Sequence, residues 1–442
     1  MGSGNIIEPK ILKGFRDSMP ETEIGKKAII AKLERNFSTY GFVPIDTPVL
    51  EYTDVLLGKG GGETDKQIFR FKDNGERDVA MRFDLTVPFA RFMAAHLAEL
   101  PLPFKRFHID KVWRGENPQK GRFREFTQCD FDIVGVDNAE ADFEILSMMD
   151  SSFAMLGIPG YTFHVAHRGL FNAFLQHIGV ESQTTEILRT VDKLRKIGAE
   201  ETKAELAALI KDQAKAQAIM QFITKPEEAE SFPQTLARLS QLAGGEQTHT
   251  ARMEKIYSYL ADDGIAGHFV YDPSITRGLD YYTGIVYETF LDGMDQFGSV
   301  CSGGRYNNLA SLYTKQELPG VGSSIGLDRL IAALTELKSP LLSASSAADV
   351  IIFAMDENLR PWYHQLARAM RNAGLRVDEY LLENKKIGAQ FKYAEQQRIP
   401  YALICGSNEH DADKVTLKNL LDRENKQMIS LEEAIETIRK GS

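Results

Sequence analysis

Residues 122–133 alternate in a way that leaves the backbone little choice. Arg122, Arg124, Phe126, Gln128, Asp130 and Asp132 share one parity, and Thr127, Cys129, Phe131 and Ile133 share the other. Successive side chains of a β-strand point to opposite faces. The segment therefore reads as a strand with one polar, aromatic face and one mostly apolar face. Upstream, a second strand pattern puts Arg114 and Glu116 on one face and Trp113 on the other, and Asn117-Pro118-Gln119-Lys120-Gly121 has the composition of a turn. An antiparallel hairpin over residues 104–135 follows. Its polar face reads in two ways. Hairpins with one solvated face are common, but arginines, an amide and acids around a phenylalanine also suit a platform for a nucleotide and a polar ligand. Guanidinium groups grip phosphate, and a flat ring stacks on a base.

Around the hairpin, residues 21–40 read as a helix with Ile30, Leu33, Phe37 and Tyr40 on one face. Gly41 ends it. Residues 42–50 are extended, and Pro44 and Pro48 place them at a sheet edge or an interface. Gly58 to Glu63 is glycine-rich, but no helix signature follows, so a phosphate-binding loop is not expected there. From Phe163 to about Gly267 the pattern turns helical and charged, as an inserted module. Strand signals return at Phe269, run through Arg277 to Phe290, and stop at Gly303-Gly304; residues 321–334 read as strand, turn and helix. After a small-residue linker around Ser339 to Ser346, strand and helix patterns alternate: strand near 349–354, helix 358–372 with Leu359, Trp362, Leu366 and Met370 on one face, strand 376–382, helix 386–397, strand 401–405. That alternation predicts a small α/β domain with a largely parallel sheet.

A chain of 442 residues is too long for one core, so two or three domains are expected. No apolar run approaches the roughly 20 residues of a membrane span, and residues 1–10 lack the pattern of a signal peptide; residues 1–4 are given no role. Cys129, Cys301 and Cys405 are widely spaced, which argues against a zinc site or a disulfide framework and fits a reducing cytoplasm. Taken alone, the net charge of −10 argues against a nucleic-acid binder, since neutralising phosphates needs Lys and Arg, though it does not exclude a local basic groove.

Four further segments stand out. Arg277-Gly278-Leu279-Asp280-Tyr281-Tyr282-Thr283-Gly284 is either a strand entry with packing tyrosines or a ligand segment. Gly303-Gly304-Arg305-Tyr306-Asn307 reads as a glycine turn. In Gly322 to Leu330 a short strand enters a helix whose first turn carries Arg329, a place the helix dipole disfavours for a cation unless an anion is bound nearby or a salt bridge holds it. Asp84-Leu85-Thr86 reads as a helix cap or as a polar ligand pair.

Together these segments resemble the histidyl-tRNA synthetases over essentially the whole chain. Lys13-Gly14-Phe15-Arg16-Asp17 resembles their amino-terminal signature, residues 41–51 their first class II motif, Trp113-Arg114-Gly115-Glu116 through Gly135 the second, and Gly326 through Arg329 the third. Residues 277–282 and 303–306 resemble the two histidine-specific segments, and residues from Ala348 onward the anticodon-binding domain. The resemblance implies an α+β fold: an antiparallel sheet flanked by helices, with a helical insertion and a carboxy-terminal α/β domain. The expected division is a catalytic domain over residues 1–335 with its insertion at about 169–265, a linker at 336–347, and an anticodon-binding domain at 348–442.

The resemblance also implies roles, position by position. Asp84 and Thr86 would hold the substrate α-amino group, Gln128 and Asp132 would contact histidine, and Tyr281 and Tyr282 would line the imidazole pocket. Arg114 would serve the α-phosphate and carboxylate, Glu116 the adenine amino group and Phe126 the adenine ring, while Arg122 would join the ATP-binding set and Arg329 would meet the γ-phosphate. Arg277 would face the α-phosphate, which makes Arg277, Arg114 and Arg329 the catalytic group. ATP with Mg²⁺, L-histidine and tRNA(His) are the implied substrates and partners, in a cytoplasmic homodimer with no protein-only metal site. Asn117 departs from the arginine frequent at that position of the second motif's turn, so acceptor-end reading is not carried over. The competing readings are a non-catalytic paralogue such as the regulatory subunit of ATP phosphoribosyltransferase, a synthetase of another amino acid, and a pure RNA-binding module.

Overall fold

In the computed structural model, residues 7–58, 67–224, 230–276, 281–343, 346–382, 386–422 and 424–441 are described. The chain divides into two compact units, Met1–Asp17 with Ala28–Leu337, and Ser18–Lys27 with Lys338–Ser442.

The strands of the first unit, in chain order, are β1 (Val43–Pro44), β2 (Leu50–Tyr52), β3 (Arg70–Lys72), β4 (Asp78–Met81), β5 (Phe104–Trp113), β6 (Glu125–Val134), β7 (Tyr161–His167), β8 (Phe269–Tyr271), β9 (Ile285–Leu291), β10 (Cys301–Arg305) and β11 (Gly320–Gly326). Eight of them make one sheet in the order β1-β5-β6-β11-β10-β9-β7-β8. Its β1–β5 and β7–β8 pairs are parallel, and the pairs between them antiparallel. The expected hairpin is its largest feature, with β5 and β6 paired in unbroken register from Phe104↔Val134 to Trp113↔Glu125. Pro44 lies on the edge strand β1, where a missing N–H costs the ladder nothing. Strands β2, β4 and β3 make a small separate sheet.

The parity of β6 fixes what covers each face. On its apolar side, Phe131 meets Phe37 of the helix Pro20–Thr39 at 4.8 Å between ring centroids, and Phe107 of β5 meets the same ring at 5.6 Å. The buried stripe of that helix is Ile29, Leu33 and Phe37. Ile30 and Tyr40, expected on the stripe, are only half-buried, because the apolar arc is centred one residue earlier. The helix Ala139–Met155, started by Asn138 accepting from the Ala141 amide at 2.9 Å, also packs against β6 and β11.

Helices from Arg168–His177 to Thr248–Asp262 connect β7 to β8. Parallel neighbours cannot be joined by a tight turn, so the helical module is the crossover of that pair. It starts later than its sequence pattern suggested, since Phe163 belongs to β7, fully buried between Phe153 and Phe269. Residues 269–290 are not one run of strand: β8 ends at Tyr271 and β9 starts at Ile285. Gly303-Gly304 is no turn either but the middle of β10. A Cβ on Gly303 would stand 2.1 Å from the Gly322 carbonyl oxygen, so glycine lets the strands close.

The second unit carries β12 (Val350–Ile352), β13 (Val377–Glu379), β14 (Tyr401–Leu403), β15 (Val415–Asn419) and β16 (Asn425–Ile429), in the order β13-β12-β14-β15-β16. The first three are parallel, but β15 and β16 add two antiparallel pairings, so the sheet is mixed where a largely parallel one was expected. Tyr363, Leu366 and Met370 of the helix Arg360–Asn372 pack on Val350, Ile352 and Leu403. The segment expected as linker contains a helical turn, Pro340–Ser343.

Candidate active site

A cavity of about 550 Å³ opens on the polar face of the large sheet. That is room for a nucleotide-sized ligand. Asp84, Thr86, Arg114, Glu116, Arg122, Phe126, Gln128, Tyr281, Tyr282 and Arg329 all line it. These residues are spread over some 250 positions of sequence, and sheet topology gathers them. β6 supplies Phe126 and Gln128, the loop after β5 supplies Arg114 and Glu116, and Arg329 comes from the helix Leu327–Glu336 that follows β11. Asp132 is not in the lining. It lies beneath, buried, accepting from the Tyr306 hydroxyl and paired with the buried Arg106 at 2.7 Å. Arg277, with Gly278 to Asp280, lies outside the described residues.

The floor is built from cross-strand rows. Asp132 is opposite Arg106 of β5 and Gly322 of β11, and Gln128 is opposite Gly326. A Cβ on Gly322 would come within 1.9 Å of Asp132 Oδ1, so only glycine leaves the carboxylate its place. Arg114 is held from behind: its Nε donates to the Phe83 carbonyl oxygen at 2.9 Å, and its guanidinium lies 5.2 Å from the centre of the Phe126 ring. Asp84 both caps and faces the cavity. Its Oδ1 accepts from the Val87 amide at 3.0 Å at the start of the helix Thr86–His96, while Oδ2 is buried without a hydrogen-bond partner.

Charge divides the cavity in two. At one end Arg329 is pushed down to about 10, first by burial and then by the guanidinium groups of Arg122 and Arg114. Three crowded cations in one place are stabilised by a bound anion. Asp84 lines the other end, with Asp130 and Asp132 buried beneath the cavity floor; burial raises all three, Asp130 to about 7, and Arg106 opposes the rise in each. Three buried carboxyls beside Arg106 suit an added cation. The cavity therefore fits a molecule, or a pair of molecules, with a polyanion at one end and an ammonium group at the other.

Sequence reasoning missed several contributors. Asp328 accepts from the Thr127 amide and from Arg16, each at 2.6 Å, and Arg16 lies 3.9 Å over the Phe123 ring. The amino-terminal signature thus ties the arginine-bearing helix to the hairpin. Asp192 and Arg195 of the helical module, and Glu288 and Phe290 of β9, also line the cavity. The alternation of β9 and β11 could have flagged Glu288, Phe290 and Ser324; nothing local marks Arg195, which stacks 4.0 Å over Phe290 and pairs with Asp272 at 2.9 Å.

A family model described as histidyl-tRNA synthetase matches residues 14–330, and one described as anticodon binding domain matches residues 349–441. The chain belongs to the histidyl-tRNA synthetase family. Within it, the chain is 47% identical to the histidine–tRNA ligase of Treponema denticola over 98% of this chain and 99% of that one. It is 44% identical to that of Rhodopirellula baltica over 96% of each. The crystal structure of histidyl-tRNA synthetase from Nostoc sp. PCC 7120 matches 99% of this chain and 100% of its own with a TM-score of 0.87 at 32% identity. The expected α+β architecture, an antiparallel sheet flanked by helices with an anticodon-binding domain after it, is that of this histidyl-tRNA synthetase family. Asp46, His108 and Asp110, a group with ligand atoms within 4.8 Å of one another, lie by the buried Arg82, which already pairs with Asp110 at 2.5 Å. We assign no metal to them.

Proposed function

We infer that this chain activates L-histidine with ATP and transfers it to tRNA(His), releasing diphosphate and then AMP. The observation that carries the reading is the two-ended cavity, with guanidinium groups at one end and Asp84 with its unpartnered buried oxygen at the other. The histidine carboxylate attacks the α-phosphorus of ATP and diphosphate leaves; a ribose hydroxyl of the tRNA 3′ end then attacks the acyl carbon and AMP leaves. Charge builds on phosphoryl oxygens in the first step, and fixed cations stabilise it. Arg114 and Arg329 are the described residues suited to that work, with Arg277 added by family correspondence. Arg122 supports the phosphates, Phe126 offers its ring to adenine and Glu116 its carboxylate to the adenine amino group. Asp84 and Thr86 receive the α-ammonium group. Gln128, Tyr281 and Tyr282 surround the amino acid, with Asp132 beneath. Recognising an imidazole through hydrogen bonds excludes isosteres lacking them by about 10⁴–10⁵.

Magnesium would arrive with ATP. Glu116 and Glu288 stand close enough to Arg329 to raise its basicity, so hard oxygen donors flank the cationic end. When bound, the ion screens phosphate charge. Pyrophosphate exchange should accordingly depend on histidine, ATP and magnesium together. Exchange driven best by another amino acid would refute the reading.

The paralogue alternative is not favoured. The relatives named above are histidine–tRNA ligases matched over nearly their full length, and the anticodon-binding match is present. A cytoplasmic setting agrees with three buried cysteines that form no disulfide, and no described helix is long and apolar enough to cross a membrane. A homodimer is supported by the small sheet. Tyr52 and Phe71 flank Val79 in one row on its edge strands and are 52% and 45% exposed, and Leu50 on the same strand as Tyr52 is 45% exposed. Such a face calls for a partner, and in the family the first motif pairs with a second copy. Light scattering should give a dimer at micromolar concentration, and the double change Tyr52→Asp with Phe71→Asp should give monomer. A fully active wild-type monomer would end the proposal.

A further inference from the structure

Two residues with no role in the family correspondence stand between Gln128 and the buried charges of the cavity floor. Asp130 follows Gln128 by two positions on the same face of β6, and Ser324 of β11 is directly opposite Asp130. Gln128 Nε2 donates to Ser324 Oγ at 2.7 Å and approaches Asp130 Oδ1 at 3.5 Å. The Ser324 hydroxyl stands against the Asp130 carboxyl from the neighbouring strand and lowers its affinity for a proton, as a donor to the carboxylate does. A hydroxyl has one proton to give, and an ionised carboxylate can only accept. With Asp130 ionised, the Ser324 proton is committed to it, and Ser324 can offer Gln128 only lone pairs. Gln128 must then turn its NH₂ group toward Ser324 and its Oε1 elsewhere. That oxygen is buried without a partner, in a side chain that lines the cavity.

We propose that Asp130 and Ser324 are positioning residues that fix the polarity of the Gln128 amide, so that the site presents an acceptor to an N–H donor of the bound amino acid. The proposal rests on reading Gln128 as a histidine-binding residue. A buried acceptor left facing a ligand acceptor is heavily penalised, so the relay adds to specificity without touching the ligand through Asp130. The groups that face Asp130 are Arg106 and its cross-strand neighbour His108 from β5, Asp132 on its own strand, Asp84 from before the helix Thr86–His96, and Ser324. Burial, Asp132 and Asp84 raise its affinity for a proton and Arg106 lowers it, leaving it at about 7. A protonated Asp130 can donate to Ser324 and free that hydroxyl to face Gln128 Oε1, which reverses the relay. The ionised form, present above that pH, is the one that sets the acceptor.

The test is histidine-dependent pyrophosphate exchange by the full chain, with Asp130→Asn, Ser324→Ala, Gln128→Ala and the double variant Gln128→Ala with Asp130→Asn. Circular dichroism confirms folding. Asp130→Asn and Ser324→Ala should each raise the KM for histidine about 10- to 100-fold, with kcat and the KM for ATP changed by less than about threefold. In the Gln128→Ala background, Asp130→Asn should add nothing, since the relay then ends nowhere. The wild-type to Asp130→Asn ratio of kcat/KM cancels the titration of the substrate imidazole, and it should fall toward one below about pH 7. A histidine KM within about twofold of wild type in both folded single variants, or an Asp130→Asn effect just as large without Gln128, overturns the relay alone. Absence of histidine-dependent exchange in the wild type overturns the functional reading and the relay with it.

Discussion

Replacing Arg114 by alanine is expected to slow adenylate formation in single turnover by about 10²–10³-fold, the usual cost of one fixed donor to a developing charge. Histidine and ATP binding should weaken far less, because Arg122 and Arg329 remain at the cationic end. The geometry motivates the split. The Nε of Arg114 is already committed to the Phe83 carbonyl oxygen, which points the rest of the fork into the cavity beside Phe126. A donor held this way loses no orientation freedom when charge develops, so its effect falls on the transition state. Arg114→Lys keeps the charge but not the fork or its anchor, and should recover only part of the rate. Near-normal adenylate formation by folded Arg114→Ala would make Arg114 a packing residue. Arg277 is expected to act on the same phosphate, but it lies outside the described residues, so Arg114 gives the sharper test.

The difference between these two arginines mirrors what was legible in the sequence. The β5–β6 hairpin was readable because a strand's period of two sorts ligand face from core face within ten residues, and Phe126 and Gln128 followed from parity. The two readings of that face were separable only once the sheet was assembled: a solvated surface would not keep Gln128, Asp130 and Asp132 buried. Order in the sheet was not readable. That β11 lies beside β6, bringing Ser324 to Asp130 and Arg329 to Arg114, depends on pairings almost 200 residues apart, and no local pattern encodes them. The same holds for Arg16, which reaches Asp328 across 312 positions. Glycine at 303 misled for a physical reason. It is common in turns because it bends, but here it serves close approach between flat strands. Asp132 shows what a motif match leaves out: its position matches a histidine contact, and nothing local signals that Arg106 and Tyr306 also meet its carboxylate. The second unit was read well up to β14; β15 was passed over although Val415 and Leu417 alternate with polar residues, and β16 gave no signal because Asn425 to Gln427 are exposed and polar.

Ending the chain near Pro340 should separate the two half-reactions. Every described cavity residue precedes that point, and the cavity is built wholly from the first unit. One segment complicates the cut. Ser18–Lys27 clusters with the second unit, so the first turns of the helix Pro20–Thr39 lose their packing. The helix should nonetheless persist from about Ala28, because Ile29, Leu33 and Phe37, which anchor it, are fully buried in the first unit. Histidine-dependent exchange should therefore survive at a large fraction of the wild-type rate, after circular dichroism confirms the fold. Aminoacylation should be abolished or need far more tRNA, with the loss in the KM for tRNA. The second unit is expected to recognise a particular RNA shape and a few unstacked bases, as sequence-specific RNA readers do, because the charge of the chain beyond the linker is nearly balanced and does not make it a generic polyanion binder. Equal loss of both activities in a folded truncation would make the second unit structural for the active site. Unaffected charging would remove its assignment as an anticodon reader.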